Sequence, residues 1–300
     1  MLAYTALAAL ALGLSASAQS IPATASAEDL ALVSAQFANS GFNLTSNAGF
    51  GLTLDAKAIL SVQYGFGVVE NGQEYSVDQV SEAPEIFVTP AEDTAAWFNS
   101  SSKYTLTLAD ASALGDADPE GNYRHFLANS ETGAANSGSN LTFTPQDGTV
   151  ITSYAAPGPL SGSGTHRYAW LLFTQPAENF QAPQDLSTPG TAPSHWSVSS
   201  YVQQTGLQLV AASFFTVQPN GQPTGSVATT QAVNTATLSV SSAAASGSAS
   251  SQSGSASGSK TTSGAQPSQS QGGSGNGASS LKASLAAGLV GVAGLAVAAL

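Results

Sequence analysis

Apolar residues change their spacing along this chain, and each change predicts a different kind of element. Residues 1–18, MLAYTALAALALGLSASA, are almost uninterruptedly apolar and end in Ala16-Ser17-Ala18, the small-residue pattern that signal peptidase accepts. A signal peptide is expected there, with a mature chain starting near Gln19. In SAEDLALVSAQFANSGF, Ser26 precedes Asp29 in a variant capping box, and Leu30, Val33 and Phe37 fall on one helical face. One amphipathic helix is expected. Beyond it come the short, β-branched and aromatic segments ILSVQYGFGVV, EIFVT, KYTLTLAD, LTFTP and HRYAWLLF, separated by clusters of Gly, Pro, Asn and Ser. Their regular spacing predicts a mainly β region, an antiparallel sheet or β-sandwich with a few short helices. In HRYAWLLF, Tyr168, Trp170 and Leu172 alternate with Ala169, Leu171 and Phe173, as in a strand buried on both faces. Near the end of this region Val198, Tyr201 and Val202 recur at helical spacing before Gly206, and AASFFTV predicts a final strand.

The pattern stops after Phe215, the last aromatic residue in the chain. Residues 222–280 hold no aromatic and no acidic side chain, and most of 241–280 is Ser, Gly and Ala. Such a composition cannot bury enough apolar surface to offset chain entropy, so a disordered, O-glycosylated stalk is expected over 221–280. The chain ends in LKASLAAGLVGVAGLAVAAL, with no charge after Lys282. Small residues at Asn276-Gly277-Ala278, a polar spacer and a terminal apolar tail follow the order of a GPI-attachment signal. Asn276 is the candidate acceptor; Gly273 or Ser274 gives a longer spacer, and a tail-anchored helix is the alternative use of the apolar end. The expected division is a signal peptide (1–18), one folded domain (19–220), a stalk (221–280) and a C-terminal GPI-attachment signal (281–300). It sends the domain through the secretory pathway to the cell surface, on the extracellular face of the plasma membrane or the cell wall.

Charge narrows the function. The formal net charge is −12, with 18 acidic residues, all between Glu28 and Asp185, against six Lys and Arg. Nucleic-acid binding draws on clustered basic residues, so the balance argues against that class. There is no cysteine, which removes thiol catalysis, thiolate metal sites and disulfides. A domain of about 200 residues buries about 70% of its unfolded surface and holds together without cross-links. Asn43, Asn99 and Asn140 begin Asn-x-Ser/Thr sequons in turn-like surroundings and are candidate N-glycosylation sites.

The scarce cations are not scattered. Arg124-His125 in NYRHFLANS and His166-Arg167 in GTHRYAWLLF each join a histidine to one of the basic residues of the folded region, and each pair is a candidate local anion site. A lone His beside an apolar run is more often a satisfied core or edge side chain. No G-x-S-x-G nucleophile elbow occurs in the folded region, and a zinc site would want a third His or Glu beside His125, His166 and Asp110. No catalysis, cofactor or metal is expected.

The residues around these pairs carry a resemblance. YTLTLADASALGDADPEGNYRHFLANS resembles the central motif of the phosphatidylethanolamine-binding protein family, in which a strand ends in an Asp-Pro-Asp-x-Pro turn. PGPLSGSGTHRYAWLLFTQP resembles its second motif, a Gly-Pro-rich loop running into His-Arg-Tyr and an apolar strand. With ILSVQYGFGVVENGQEYSVDQVSEAPEIFV upstream and the closing helix and strand, the likeness covers the region from the first helix to the final strand. It implies a PEBP-like sandwich and a small pocket for phosphate, acetate or a phospholipid headgroup. Carried over by position, it implies Asp110, His125, His166 and Tyr168 as ligand-binding residues. Imidazole and phenol donate hydrogen bonds to anionic oxygens, more strongly when the donor is charged. Three positions depart from the family's turn: Ala111 and Leu114 stand where it has Pro, and Ser112 where it has its second Asp. The function implied is non-catalytic binding of phospholipid headgroups or other small anions. The alternatives are inhibition of a serine carboxypeptidase, as by some relatives, and a structural surface glycoprotein whose pocket has lost its ligand.

Overall fold

The computed structural model describes residues 21–219, except 46–48, 100, 116–117, 136–139, 145–147 and 177–179, together with 233 and 235–238. The signal peptide over 1–18, most of the stalk, Asn276 and the C-terminal apolar segment lie outside the described residues.

Helix α1 (Ala27–Asn39) forms where the apolar spacing places it, with Leu30, Val33 and Phe37 as its buried face. Ser26 caps it reciprocally: Ser26 Oγ accepts from the Asp29 backbone N–H at 3.1 Å, and the Asp29 carboxylate accepts from the Ser26 N–H at 2.9 Å. The chain turns away through Gly41, whose φ of 75° lies in the left-handed region. A Cβ there would stand 2.7 Å from Leu114 Cδ1 and 3.1 Å from Arg167 Nη1, so only glycine lets these side chains close over the turn.

Strands β1 (Ala58–Tyr64), β2 (Gly67–Val68), β3 (Glu74–Tyr75), β4 (Glu85–Pro90), β5 (Tyr104–Ala113) and β6 (Asn122–Glu131) follow. After them come β7 (Ala134–Ala135), β8 (Leu141–Phe143), β9 (Thr149–Thr152), β10 (His166–Thr174), β11 (Ser194–Trp196) and β12 (Gln208–Val217). Helix α2 (Val198–Thr205) lies between the last two and ends at Gly206, which is left-handed at φ 69°. One sheet is ordered β2-β1-β4-β8-β7, the other β11-β6-β5-β10-β12-β3 with β9 paired to β6. The mainly β, largely antiparallel sandwich with few short helices is the observed fold; β3 joins β12 in parallel.

Two cores follow from this stacking. Between the sheets, Leu60, Val62, Ile86 and Val88 meet Leu106, Leu108, Phe126, Trp170 and Phe215. On the other face of the larger sheet, Leu30, Val33 and Phe37 of α1 and Val198 and Tyr201 of α2 cover Leu171, Phe173 and Phe214. The larger sheet is therefore buried on both faces, and this is why β10 lacks polar alternation. Tyr168, Trp170 and Leu172 enter the first core, and Ala169, Leu171 and Phe173 enter the second. Burying a side chain of this size contributes about 1.5–3 kcal/mol.

Packing also reaches into the stretch read as stalk. Leu238 lines a cavity beside α1 together with Leu30 and Leu54. A single Leu in a run of Thr, Ala and Ser has no periodicity to announce it.

Candidate anion-binding site

The site sits at one end of β5, β6 and β10, where two irregularities in the strand pairing re-aim side chains. Between β5 and β6, Leu108 pairs with Phe126 and Ala109 with Arg124, so His125 is the extra residue of a β-bulge. The bulge sets His125 on the same face as Phe126, where its ring lies 5.2 Å from Tyr168. Between β5 and β10, His166 pairs with Ala113 and Tyr168 with Asp110, which leaves Ala111 and Ser112 against a single residue, Arg167. Ser112 takes the left-handed φ of 58° there, a conformation that is uncommon outside Gly, Asn and Asp.

Asp110 is the hub. It is 6% exposed, and its Oδ1 accepts the Ser112 N–H at 2.6 Å while its Oδ2 meets His166 Nδ1 at 2.7 Å. Burial first, and then the nearby Asp110 carboxylate, push the Tyr168 phenol pKa well above its ordinary value. Tyr168 is fully buried, with its ring packed against both His125 and His166. His166 is half-buried. With Nδ1 turned to Asp110, its Nε2 is the ring atom left for a ligand, and it becomes a donor when the ring is protonated.

His125 is exchanged with the loop before β10. Its Nδ1 lies 2.9 Å from Ala155 O, and its carbonyl accepts the Ala155 N–H at 2.8 Å. The carbonyl fixes the proton on Nδ1. Desolvation lowers the His125 pKa below 6.5, against an opposing pull from Asp110. The ring is therefore neutral near pH 7.

Neither arginine joins its neighbouring histidine, which corrects the reading of His-Arg pairs as local anion sites. Successive residues of a strand point to opposite faces, and the Arg of each pair leaves on the helix-covered face. Arg167, fully buried, donates from Nε to Ser112 O at 3.1 Å, from Nη1 to Ser40 O at 2.8 Å and from Nη2 to Ala111 O at 2.7 Å. Its guanidinium stands 5.5 Å from the Phe42 ring. It holds the altered Ala111-Ser112 turn in place. Arg124 lies over Trp196 at 5.5 Å.

His195 was not singled out in the sequence. Its Nε2 lies 2.8 Å from Asp118 Oδ2 and its Nδ1 3.2 Å from Glu120 Oε2, and Tyr123 contacts both it and His125. Asp118 is held below the usual carboxylate range, first by the Glu120 N–H and then by His195. The His-Trp dipeptide was the available signal, but a three-residue edge strand shows no period. Of the sequons, Asn43 and Asn99 are exposed, whereas Asn140 is half-buried and its Nδ2 donates to Ala23 O at 3.1 Å.

Fold and site together define a β-sandwich binding protein, and comparison with known proteins gives its family. The family model for phosphatidylethanolamine-binding protein matches residues 53–215, and the chain belongs to that family. It is 28% identical over 126 residues to the carboxypeptidase Y inhibitor of Saccharomyces cerevisiae, a match covering 37% of this chain and 58% of that protein, less than two thirds of its length. A second Saccharomyces cerevisiae protein, itself uncharacterized, is 24% identical over 163 residues, covering 50% of this chain and 76% of its own length. Among solved structures, the carboxypeptidase Y inhibitor complexed with its cognate proteinase superposes with a TM-score of 0.50. That pair is 20% identical and covers 62% of this chain and 96% of the inhibitor, a likeness of fold.

Proposed function

We propose that this chain is a secreted, GPI-anchored, fungal-type member of the family that binds a small oxyanion or phospholipid headgroup at His166 and His125, without catalysis. The observation that carries the reading is the Asp110–His166 pair. A buried carboxylate with donors on both oxygens fixes the Nδ1 side of a half-buried imidazole and leaves Nε2 for a ligand. Asp110 and Tyr168 serve as positioning residues. Calorimetric titration of the full chain with inorganic phosphate tests the site: saturable binding lost in His166→Ala supports it, and equal binding by both chains refutes it.

The mature chain begins near Gln19, bears N-glycans at Asn43, Asn99 and Asn140, and stands on the stalk that starts near residue 221. Attachment at Asn276 puts the domain on the outer face of the plasma membrane or cell wall. Release from cells by a phosphatidylinositol-specific phospholipase tests the anchor; a chain that stays bound after complete digestion contradicts it.

Similarity to the carboxypeptidase Y inhibitor favours a second reading, inhibition of a serine carboxypeptidase. Inhibition of carboxypeptidase Y that survives His166→Ala assigns it to a surface apart from the histidines, and no inhibition at saturating concentration removes this reading.

A further inference from the structure

A groove on the helix-covered face of the larger sheet holds a guanidinium with unused donors. About 460 Å³ in volume, it runs between β11, α2 and the turn at Gln184–Leu186, with Arg124 and Trp196 among its lining residues. Arg124 is 2% exposed. Its Nε donates to Thr152 Oγ1 at 2.7 Å and its Nη2 to Ala192 O at 3.0 Å, both neutral acceptors. Among the described residues, Nη1 has no hydrogen-bond partner and no carboxylate stands within ion-pair distance of the guanidinium. The Trp196 indole Nε1 is buried and also lacks an acceptor. A buried cation without a counter-ion and a buried N–H without an acceptor are each unfavourable. Two on one groove wall mark a place for acceptor oxygens.

We propose that this groove binds the carboxylate of a small organic acid, with Arg124 as the cation and Trp196 Nε1 as a neutral donor. Nε and Nη2 engage the protein along one edge of the planar guanidinium. Nη1 and the second Nη2 hydrogen then form a fork that matches the two oxygens of a carboxylate. Ser197, which caps α2, and Ser200, in its first turn, line the same groove and add hydroxyl donors. The rim favours a monoanion over a phosphate dianion. Asp185 attracts Arg124 electrostatically from the groove's edge, so the site already holds one negative charge. The groove is separate from the His166 cluster, because Arg124 and His125 leave β6 on opposite faces.

The test follows the three tryptophan indole resonances of the full chain by NMR, with Trp196 assigned through Trp196→Phe. Sodium acetate is expected to move the Trp196 N–H signal saturably in the wild type and in His166→Ala alike, while neutral acetamide leaves it in place. By calorimetry in the His166→Ala chain, Trp196→Phe should weaken acetate binding about tenfold, and Arg124→Gln should abolish it. If Arg124→Gln does not fold, Trp196→Phe, which keeps an aromatic ring, carries the test. A signal that stays still, moves equally with acetamide, loses its response in His166→Ala, or responds to inorganic phosphate at lower concentration than to acetate overturns the proposal.

Discussion

Replacing Arg167 by methionine separates bracing from ligand binding. The guanidinium holds Ala111 O at 2.7 Å, Ser40 O at 2.8 Å and Ser112 O at 3.1 Å, and burial already lowers its pKa to about 10. Hydrogen bonds to charged groups contribute about 1.5–3 kcal/mol each, but removing the charge also removes its desolvation. Breaking a buried charged network by deleting one partner costs about 3–5 kcal/mol. Methionine keeps much of the apolar volume against Phe42, so the lower end applies, about 3 kcal/mol. For a domain of this size that lowers the unfolding midpoint by about 6–12 °C. Arg167→Lys keeps the charge without the planar fork and should restore about half of the loss. Urea unfolding at constant slope measures it. A loss below about 1 kcal/mol, or a lysine variant no more stable than the methionine one, would refute the bracing role.

Two further predictions concern His125. Its folded-state pKa lies below 6.5, so below that value the unfolded chain binds more protons; stability is complete above it and is lost as pH falls through the folded-state value. Urea midpoints taken from about pH 8 to about pH 5 should therefore fall below about pH 6.5, and fall less in His125→Gln; identical profiles remove His125 as the cause. Sulfate, which does not titrate in this range, should bind more tightly at about pH 5.5 than at about pH 7.5, because neutral His125 has already given its one N–H to Ala155 O. An affinity independent of pH contradicts histidine as the donor.

The elements legible in the sequence are those whose apolar period is unbroken. Leu30, Val33 and Phe37 placed α1, and the doubly apolar run from Tyr168 to Phe173 announced a strand covered on both faces. The site was legible only as a set of residues. Its geometry depends on the bulge at His125 and the left-handed Ser112, and a bulge shifts the alternation of faces without any change in composition. That shift is why the sequence could not say that His125 faces Tyr168 while Arg124 faces Trp196. The partners of Arg167 were not legible, because sequence shows only its place next to His166, whereas the carbonyls it serves are contributed by Ser40 and the far turn.

The central claim is that His166 presents Nε2 to an oxyanion while Asp110 holds its other nitrogen. A crystal of residues 19–220 soaked in phosphate tests it most directly. The account predicts a phosphate oxygen about 2.7–2.9 Å from His166 Nε2, and no phosphate at this place in His166→Ala crystals soaked alike. A wild-type cluster without phosphate, or one that binds it unchanged after His166→Ala, would contradict the account.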